Sequence, residues 1–527
     1  MGSFDLYFLG WQIIDFPVLL MLGLGTLLGI IIGALPGLTA IMAVSIIVPL
    51  TYKMPPIVSI LMLLGVYCGG NYGGSISACL INIPGTPSAI MTGLDGHPLS
   101  RKGKAGLAIG MATVASVVGG IISVFVLAAF SPVLANLALK FKSLEIFGVA
   151  LFGISVIAYV SPGSTLKGIM AGLFGLLLAT IGFDPNTGAA RFAFGSTNLL
   201  GGVDFVSVMI GLFGMSEMFA NIEKTKAERD IGFLQDKVTK TWDAFKYVRK
   251  LKAVILRSSF VGVIIGAIPG AGGTIAAIAA YGLQKRVSRH GHLMGKGALE
   301  GIAAPEASNN ACTGGAMTPL LALGIPGDAV TAVLIGAFII HGIVPGPMMY
   351  TSNPEMVSAI FIGMFLANIF ILVIGMPGAK YISRLLKIPS QILNGLIIAL
   401  CIIGTFAVKN SLFDTGVMLV FGVVGYLMSK AKIPKAPVVL ALVLGPLMEE
   451  NIRRWANLAE GNYWSEFINS VITNPVTLTM VIATLVVLIA PIVTKKKHLS
   501  EDDINFSSDE TASADPNEII FAEKGER

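Results

Sequence analysis

The chain has 527 residues, of which 54% are hydrophobic and only 13% charged, with 62 glycines, a net charge of +6 and a mean hydropathy of +0.81. Soluble domains carry roughly a quarter charged residues, so this deficit, spread over apolar runs near or above the length of a membrane span, excludes a soluble enzyme and specifies an all-α polytopic membrane protein. The runs are continuous rather than alternating, which excludes a β-barrel, and the basic residues sit beside the spans as topology signals rather than as a nucleic-acid surface.

In chain order, an apolar run over about 13–35 ends at Pro36-Gly37 and resumes at 38–50. Residues 1–12 hold no Lys or Arg, so no cleavable signal peptide is expected. A run at 56–70 meets the polar stretch Gly69-Gly-Asn-Tyr-Gly-Gly-Ser75, followed by a short run ending in Asn82-Ile-Pro-Gly85. Spans are predicted at about 105–130, 144–160, 165–182 and 199–221. Residues 222–252, with nine Lys/Arg and five Asp/Glu, read as a solvated amphipathic linker.

The second half repeats this order. Gly29-Ile-Ile-Ile-Gly-Ala-Leu-Pro-Gly-Leu-Thr-Ala40 returns as Gly262-Val-Ile-Ile-Gly-Ala-Ile-Pro-Gly-Ala-Gly-Gly273. A polar-interrupted segment, Asn309-Asn-Ala-Cys-Thr-Gly-Gly315, again ends in Gly324-Ile-Pro-Gly327. Weaker correspondences follow in the same order, such as Met91–His97 with Ile335–His341 and Gly214–Glu217 with Gly445–Glu449. Spans at about 355–377, 389–408, 412–429 and 436–449 complete the copy, and one at 473–494 has no counterpart. The expected organisation is a first repeat over 1–221, a charged linker over 222–252, a second repeat over 253–450, a loop with the final span over 451–497, and an acidic disordered tail over 498–527.

Charge sets the orientation. The linker and Lys495-Lys-Lys497 are strongly basic and belong in the cytoplasm, so the second half crosses an even number of times. Removing the unmatched last span leaves an odd number per repeat, and an odd repeat placed twice in tandem is inverted. Arg101-Lys-Gly-Lys104, Lys285, Arg286 and Arg289, and the Lys430, Lys432, Lys435 cluster fall inside, and their counterparts are poor in basic residues. Lys140, Lys142, Arg453 and Arg454 are exceptions that fall outside, and the N-terminus is external. Trp455, Tyr463, Trp464 and Phe467 read as an interfacial aromatic belt.

Four Pro-Gly breaks interrupt these helices: Pro36-Gly37, Pro84-Gly85, Pro269-Gly270 and Pro326-Gly327. Proline removes a donor and glycine accepts unusual dihedrals, so each break frees backbone polar groups, tolerated in a membrane only inside protein or along a cavity. Helices that start after a break aim N–H groups and a positive dipole end at an anion, whereas helices that end before one offer carbonyls to Na⁺. Matched breaks in two halves mark a transporter binding site, although Gly and Pro also kink and pack membrane helices. The candidate substrate-binding residues are Pro36, Gly37, Thr39, Asn82, Pro84, Gly85, Thr86, Pro87, Ser88, Pro269, Gly270, Gly272, Gly273, Thr274, Pro326, Gly327 and Asp328. Asn71, Ser75, Asn309, Asn310 and Thr313 read as unwound tips that supply oxygens to Na⁺, with close glycine packing as the competing account. Asp328 either caps the helix after it or takes part in cation or proton coupling. Glu300 and Glu306 are intramembrane charges beside the broken elements. The four cysteines read as buried free thiols. No metal cofactor, nucleotide loop or catalytic set is expected. Gly270-Ala-Gly-Gly273 before Thr274 lacks the lysine of a phosphate loop.

Gly33-Ala-Leu-Pro-Gly-Leu-Thr39, Asn71-Tyr-Gly-Gly-Ser75, Asn82-Ile-Pro-Gly-Thr-Pro-Ser88 continuing to Asp95-Gly-His-Pro98, Ala267-Ile-Pro-Gly-Ala-Gly-Gly273 and Gly324-Ile-Pro-Gly327 together resemble the TctA-type large membrane subunit of the tripartite tricarboxylate transporters. The resemblance covers about residues 10–495. It implies a non-enzymatic secondary uptake system of the bacterial inner membrane, driven by Na⁺ or H⁺. It also implies a periplasmic solute-binding protein that delivers a citrate-like carboxylate and a small four-span membrane subunit as partners. A passive channel or exporter for small organic anions is the alternative reading of the same repeats.

Overall fold

A computed structural model describes residues 9–487, apart from 161–163, 185–186, 224–237, 386–389, 475–476, 480 and 483. The expected acidic tail and residues 224–237 of the charged linker lie outside the described residues. The first half contains α1 (Phe16–Ala34), α2 (Ala40–Thr51), α3 (Pro56–Ile81), α4 (Ile90–Leu99), α5 (Ala105–Ala138), α6 (Ser143–Val160) and α7 (Thr165–Ala179). A two-stranded antiparallel hairpin, β1 (Gly182–Phe183) with β2 (Ala190–Arg191), then leads to α8 (Phe205–Glu223). The second half contains α9 (Phe245–Ala267), α10 (Gly272–Val287), α11 (Leu299–Leu323), α12 (Ala329–Ile340), α13 (Pro354–Leu385), α14 (Ser390–Lys409), α15 (Leu412–Lys430) and α16 (Ala436–Leu458), followed by α17 (Tyr463–Thr473).

The chain is an all-α polytopic membrane protein. Among the described residues seven helical stretches are long and apolar enough to cross a membrane: α1, α3, the run Pro87–Ala138 that contains α4 and α5, α8, α13, α14 and α15. Helix α11, richer in polar side chains, is buried along nearly its whole length, whereas the more charged α9 buries one side and exposes Leu256, Phe260 and Ile264 on another. The final span expected at 473–494 lies partly outside the described residues; within them, α17 and the stretch Thr477–Val487 are bent by 100° relative to each other. The basic stretch over 245–252 is not linker: it forms the first turns of α9, with Leu251, Val254 and Ile255 buried and its lysines turned outward.

The polar stretches in α3 and α11 are helical throughout, where the sequence suggested unwound tips. Their glycines serve close packing. A Cβ on Gly25 or Gly29 of α1 would collide with the carbonyl oxygen of Met62 or Val66, and one on Gly65, Gly69 or Gly73 of α3 with that of Leu22, Thr26 or Ile30. Small residues let two membrane helices approach to backbone contact, where Cα–H groups meet carbonyls. The second half repeats the device: Gly262 and Gly266 of α9 sit on the carbonyls of Ser308 and Cys312, and Gly315 of α11 sits on that of Val263.

The helix ends repeat too. Helix α3 stops at Asn82 (φ 55°) and α11 at Gly324 (φ 72°), both left-handed, and Ile-Pro-Gly follows in each case. Helix α5 packs along α11 and α13 along α3 and α5, so the two halves share one large core. Helices α6, α7, α15 and α16 build smaller clusters beside it.

Candidate functional site

The breaks gather in pairs, one pair per half. In the first half Gly85 presses on the carbonyl of Gly33 and on Cα of Gly74, so the turn Pro84-Gly85 lies against the end of α1 just before Pro36-Gly37. The Gly85 N–H donates to Gly74 O at 3.3 Å. In the second half the Gly270 N–H donates to Gly327 O at 2.7 Å, and Gly327 packs on Gly266 O and Ala316 Cα. Pro36, Gly37, Thr39, Pro84, Pro269, Gly270, Gly272, Gly273 and Thr274 are half-buried, Asn82 and Pro87 are exposed, and Gly85, Thr86, Ser88, Pro326, Gly327 and Asp328 are buried.

Each half also reaches across to the other. Asp328 is the N-cap of α12: its Oδ1 accepts from Thr331 N at 2.7 Å and Thr331 Oγ1 at 2.8 Å, while Tyr67 of α3 donates to Oδ2 at 2.6 Å. Asn309 of α11 donates from Nδ2 to Asn71 O at 3.1 Å, and its Oδ1 stands against Gly273, with Ser88 Cβ next to the same glycine. Ser88 and Thr86 share a hydrogen bond of 3.1 Å. Thus Asn71, Thr86, Ser88, Gly273 and Asn309 form one cluster drawn from both halves, and Tyr67, Gly270, Gly272, Gly327 and Asp328 form its neighbour.

The helix starts differ in chemistry. Thr39 caps α2 by accepting from Met42 N at 3.3 Å, whereas no side chain caps α10. The first N–H groups of a helix have no intrahelical partner, so α10 presents its first turn bare. Ser75 Oγ donates to Tyr72 O and Thr313 Oγ1 to Asn310 O, each at 2.7 Å. Asn309 Oδ1 and both polar atoms of Asn310 are buried without a partner.

Two further polar clusters had little signal in the sequence. Glu306, wholly buried in α11, accepts from Thr92 of α4 at 2.6 Å and from Ser116 of α5 at 2.7 Å. Asp95, also wholly buried, takes the N–H groups of Gly295, Gly297 and Ala298 at 2.8–2.9 Å on Oδ1 and the Tyr281 hydroxyl at 2.9 Å on Oδ2. Backbone N–H groups that converge on a carboxylate in this way stabilise its charge, and Lys102, whose ammonium donates to Lys296 O at 2.9 Å, stands beside the same loop. Glu306 stood out in the sequence as an acid beside the broken elements, and Asp95 as part of the Asp95-Gly-His-Pro98 motif. The hydroxyl partners looked like any other Thr, Ser or Tyr. All four cysteines are buried and free.

The chain matches the tripartite tricarboxylate transporter TctA family over residues 19–440. It belongs to that family. An uncharacterized 52.8 kDa protein in the TAR-I ttuC' 3' region of Agrobacterium vitis is 35% identical over 476 residues, covering 90% of this chain and 93% of the relative. An uncharacterized protein in the TAR-II ttuC' 3' region of the same organism is 35% identical over 219 residues, 42% of this chain and 88% of that one. No solved structure matches. Membership in the TctA family makes the chain a transporter subunit rather than an enzyme, the large membrane component of a tripartite system.

Proposed function

We propose that this TctA-family chain is the permease of a binding-protein-dependent secondary transporter that takes up tricarboxylates or related citrate-like carboxylates, driven by a Na⁺ or H⁺ gradient. It works with a periplasmic solute-binding protein and a small four-span membrane subunit in the bacterial inner membrane. The observation that carries this reading is the cluster in which the Thr86–Ser88 turn of one half meets the start of α10 and Asn309 of the other. Half-buried backbone donors and hydroxyls gathered at broken helices inside an apolar protein suit a small anionic solute.

In this reading the halves are inverted, the N-terminus is periplasmic, and the central linker and C-terminus are cytoplasmic. The external arginines that run against the charge rule support it, because they are neutralised. Arg453 pairs with Asp184 at 2.8 Å and Glu449 at 2.6 Å, and Arg454 with Glu450 at 3.0 Å. Arg191 joins the first group through Glu449 at 2.6 Å, whose hydrogen bonds hold its guanidinium above the ordinary value. The hairpin elements move against the helices around α16 in an elevator-like step.

The test is uptake of labelled citrate into proteoliposomes that contain all three components under imposed Na⁺ or pH gradients. Uptake that requires one of the gradients is expected, and uptake unchanged after both are collapsed would make the chain a passive channel. Crosslinking Ser88→Cys to the same α16 position in inward- and outward-facing states would remove the elevator step.

A further inference from the structure

The start of α10 combines two features that together narrow its ligand. The first is the bare first turn. Its counterpart α2 begins with Thr39, which supplies its own cap, but the matching position in the second half is Gly272, with no side chain to offer. The N–H groups of Gly273 and Thr274, both half-buried residues, therefore have no intrahelical partner at the positive end of a sixteen-residue helix. The second is Asn309, fully buried, whose Oδ1 lies against Gly273 with no hydrogen-bond partner. Its orientation is determined by chemistry. The other end of the carboxamide meets Asn71 O, a carbonyl that can only accept, so Nδ2 is on that side and the oxygen faces α10.

An unpaired acceptor beside unpaired donors fits neither simple ion. A bare carboxylate would satisfy the N–H groups and be repelled by Oδ1. A sodium ion would suit Oδ1 and be repelled by the positive end of the helix. A ligand that carries an anionic group and a donor on neighbouring atoms satisfies both. Asp328 does not pair with these N–H groups: its Cβ lies 3.6 Å from where a Gly272 Cβ would stand, and its carboxylate is held by Thr331 and Tyr67.

We infer that this site binds a 2-hydroxycarboxylate: the carboxylate sits on the N–H groups of Gly273 and Thr274, and the adjacent hydroxyl donates to Asn309 Oδ1. Ser88 stands at the rim of the site. This rests on the carboxylate reading above and sharpens it, because the permease itself then reads the hydroxyl. A buried acceptor left unpaired penalises an analogue that lacks the hydroxyl far more than a lost apolar contact would.

The test uses the full chain with Thr274→Cys. The four native cysteines are buried, so the unmodified protein gives the labelling background. A sulfonate-bearing thiol reagent is expected to label this position about tenfold faster than an ammonium-bearing one, as an anion-favouring helix start requires. Citrate should protect at concentrations at least tenfold lower than propane-1,2,3-tricarboxylate, which differs only in the missing hydroxyl. Adding Asn309→Ala should bring the two ligands within twofold, and Asn309→Ser provides a smaller change if the alanine variant fails to fold. Equal protection by both ligands in the parent would overturn the hydroxyl inference and leave the carboxylate reading standing. Protection by neither, labelling by neither reagent, or faster labelling by the ammonium reagent would overturn both.

Discussion

The two hairpin turns, Asn82-Ile-Pro-Gly-Thr86 and Gly324-Ile-Pro-Gly-Asp328, have nearly the same backbone and opposite side-chain chemistry. Each leaves its helix through a left-handed residue, turns on Pro-Gly, and wedges that glycine against the preceding broken helix. Beyond the glycine they diverge. Thr86 offers a neutral hydroxyl to Ser88 and makes no helix cap, whereas Asp328 caps α12 and is tied to the other half through Tyr67. The duplication thus keeps the fold of the turn, where backbone meets backbone, and leaves the polar positions free to differ. One turn is locked and acidic. The other is neutral and lies beside the bare helix start.

Changes to the shared part test the sameness, and have the largest effect. Gly85→Leu and Gly327→Leu push side chains into backbone that cannot yield, and each is expected to cost on the order of 3 kcal/mol or more, seen as loss of the monodisperse peak in detergent. A turn that tolerates leucine would show that the contact is not tight. Next come changes that should separate the turns. Asp328→Ala strands the Tyr67 hydroxyl and the Thr331 N–H in the interior, a loss of about 2–3 kcal/mol, whereas Thr86→Ala is expected to cost about 1 kcal/mol or less. Thermal unfolding of the two variants side by side reads the difference, and equal shifts would contradict the lock. Removing the Thr39 cap by Thr39→Ala lowers stability by about 1 kcal/mol and shows what α10 does without. The smallest effect belongs to Arg454→Ala, whose exposed pair with Glu450 is worth about 0.5 kcal/mol or less. Arg453→Ala, in the group with Asp184 and Glu449, should exceed it.

The repeat was legible in the sequence because Pro-Gly words and apolar runs are local features that keep their spacing. Asn82 and Gly324 even mark the same helix end, since both residue types tolerate the left-handed region. The glycines of α3 and α11 misled for a physical reason. In a membrane, Gly-rich helix and Gly-rich unwound chain have the same composition, and only the partner helix distinguishes them. The contacts that organise the interior were illegible because they join residues far apart in the chain. Nothing near Tyr67 announces Asp328, and nothing near Asp95 announces the Gly295–Ala298 loop. The unequal helix starts could have been read by aligning the halves, since Thr39 falls opposite Gly272.

The interlocked glycines of α1 with α3, and of α9 with α11, also constrain how the protein can move. Where Cα atoms rest between carbonyl oxygens on both sides, neither helix can slide by a fraction of a turn without driving backbone into backbone. Each pair therefore has one tight register, and the next lies a full turn, roughly 5.4 Å, away. A working cycle must carry α1 with α3 and α9 with α11 as rigid blocks. The turns at Pro84-Gly85 and Pro326-Gly327, wedged against α1 and α9, travel with those blocks, and any bending falls outside them.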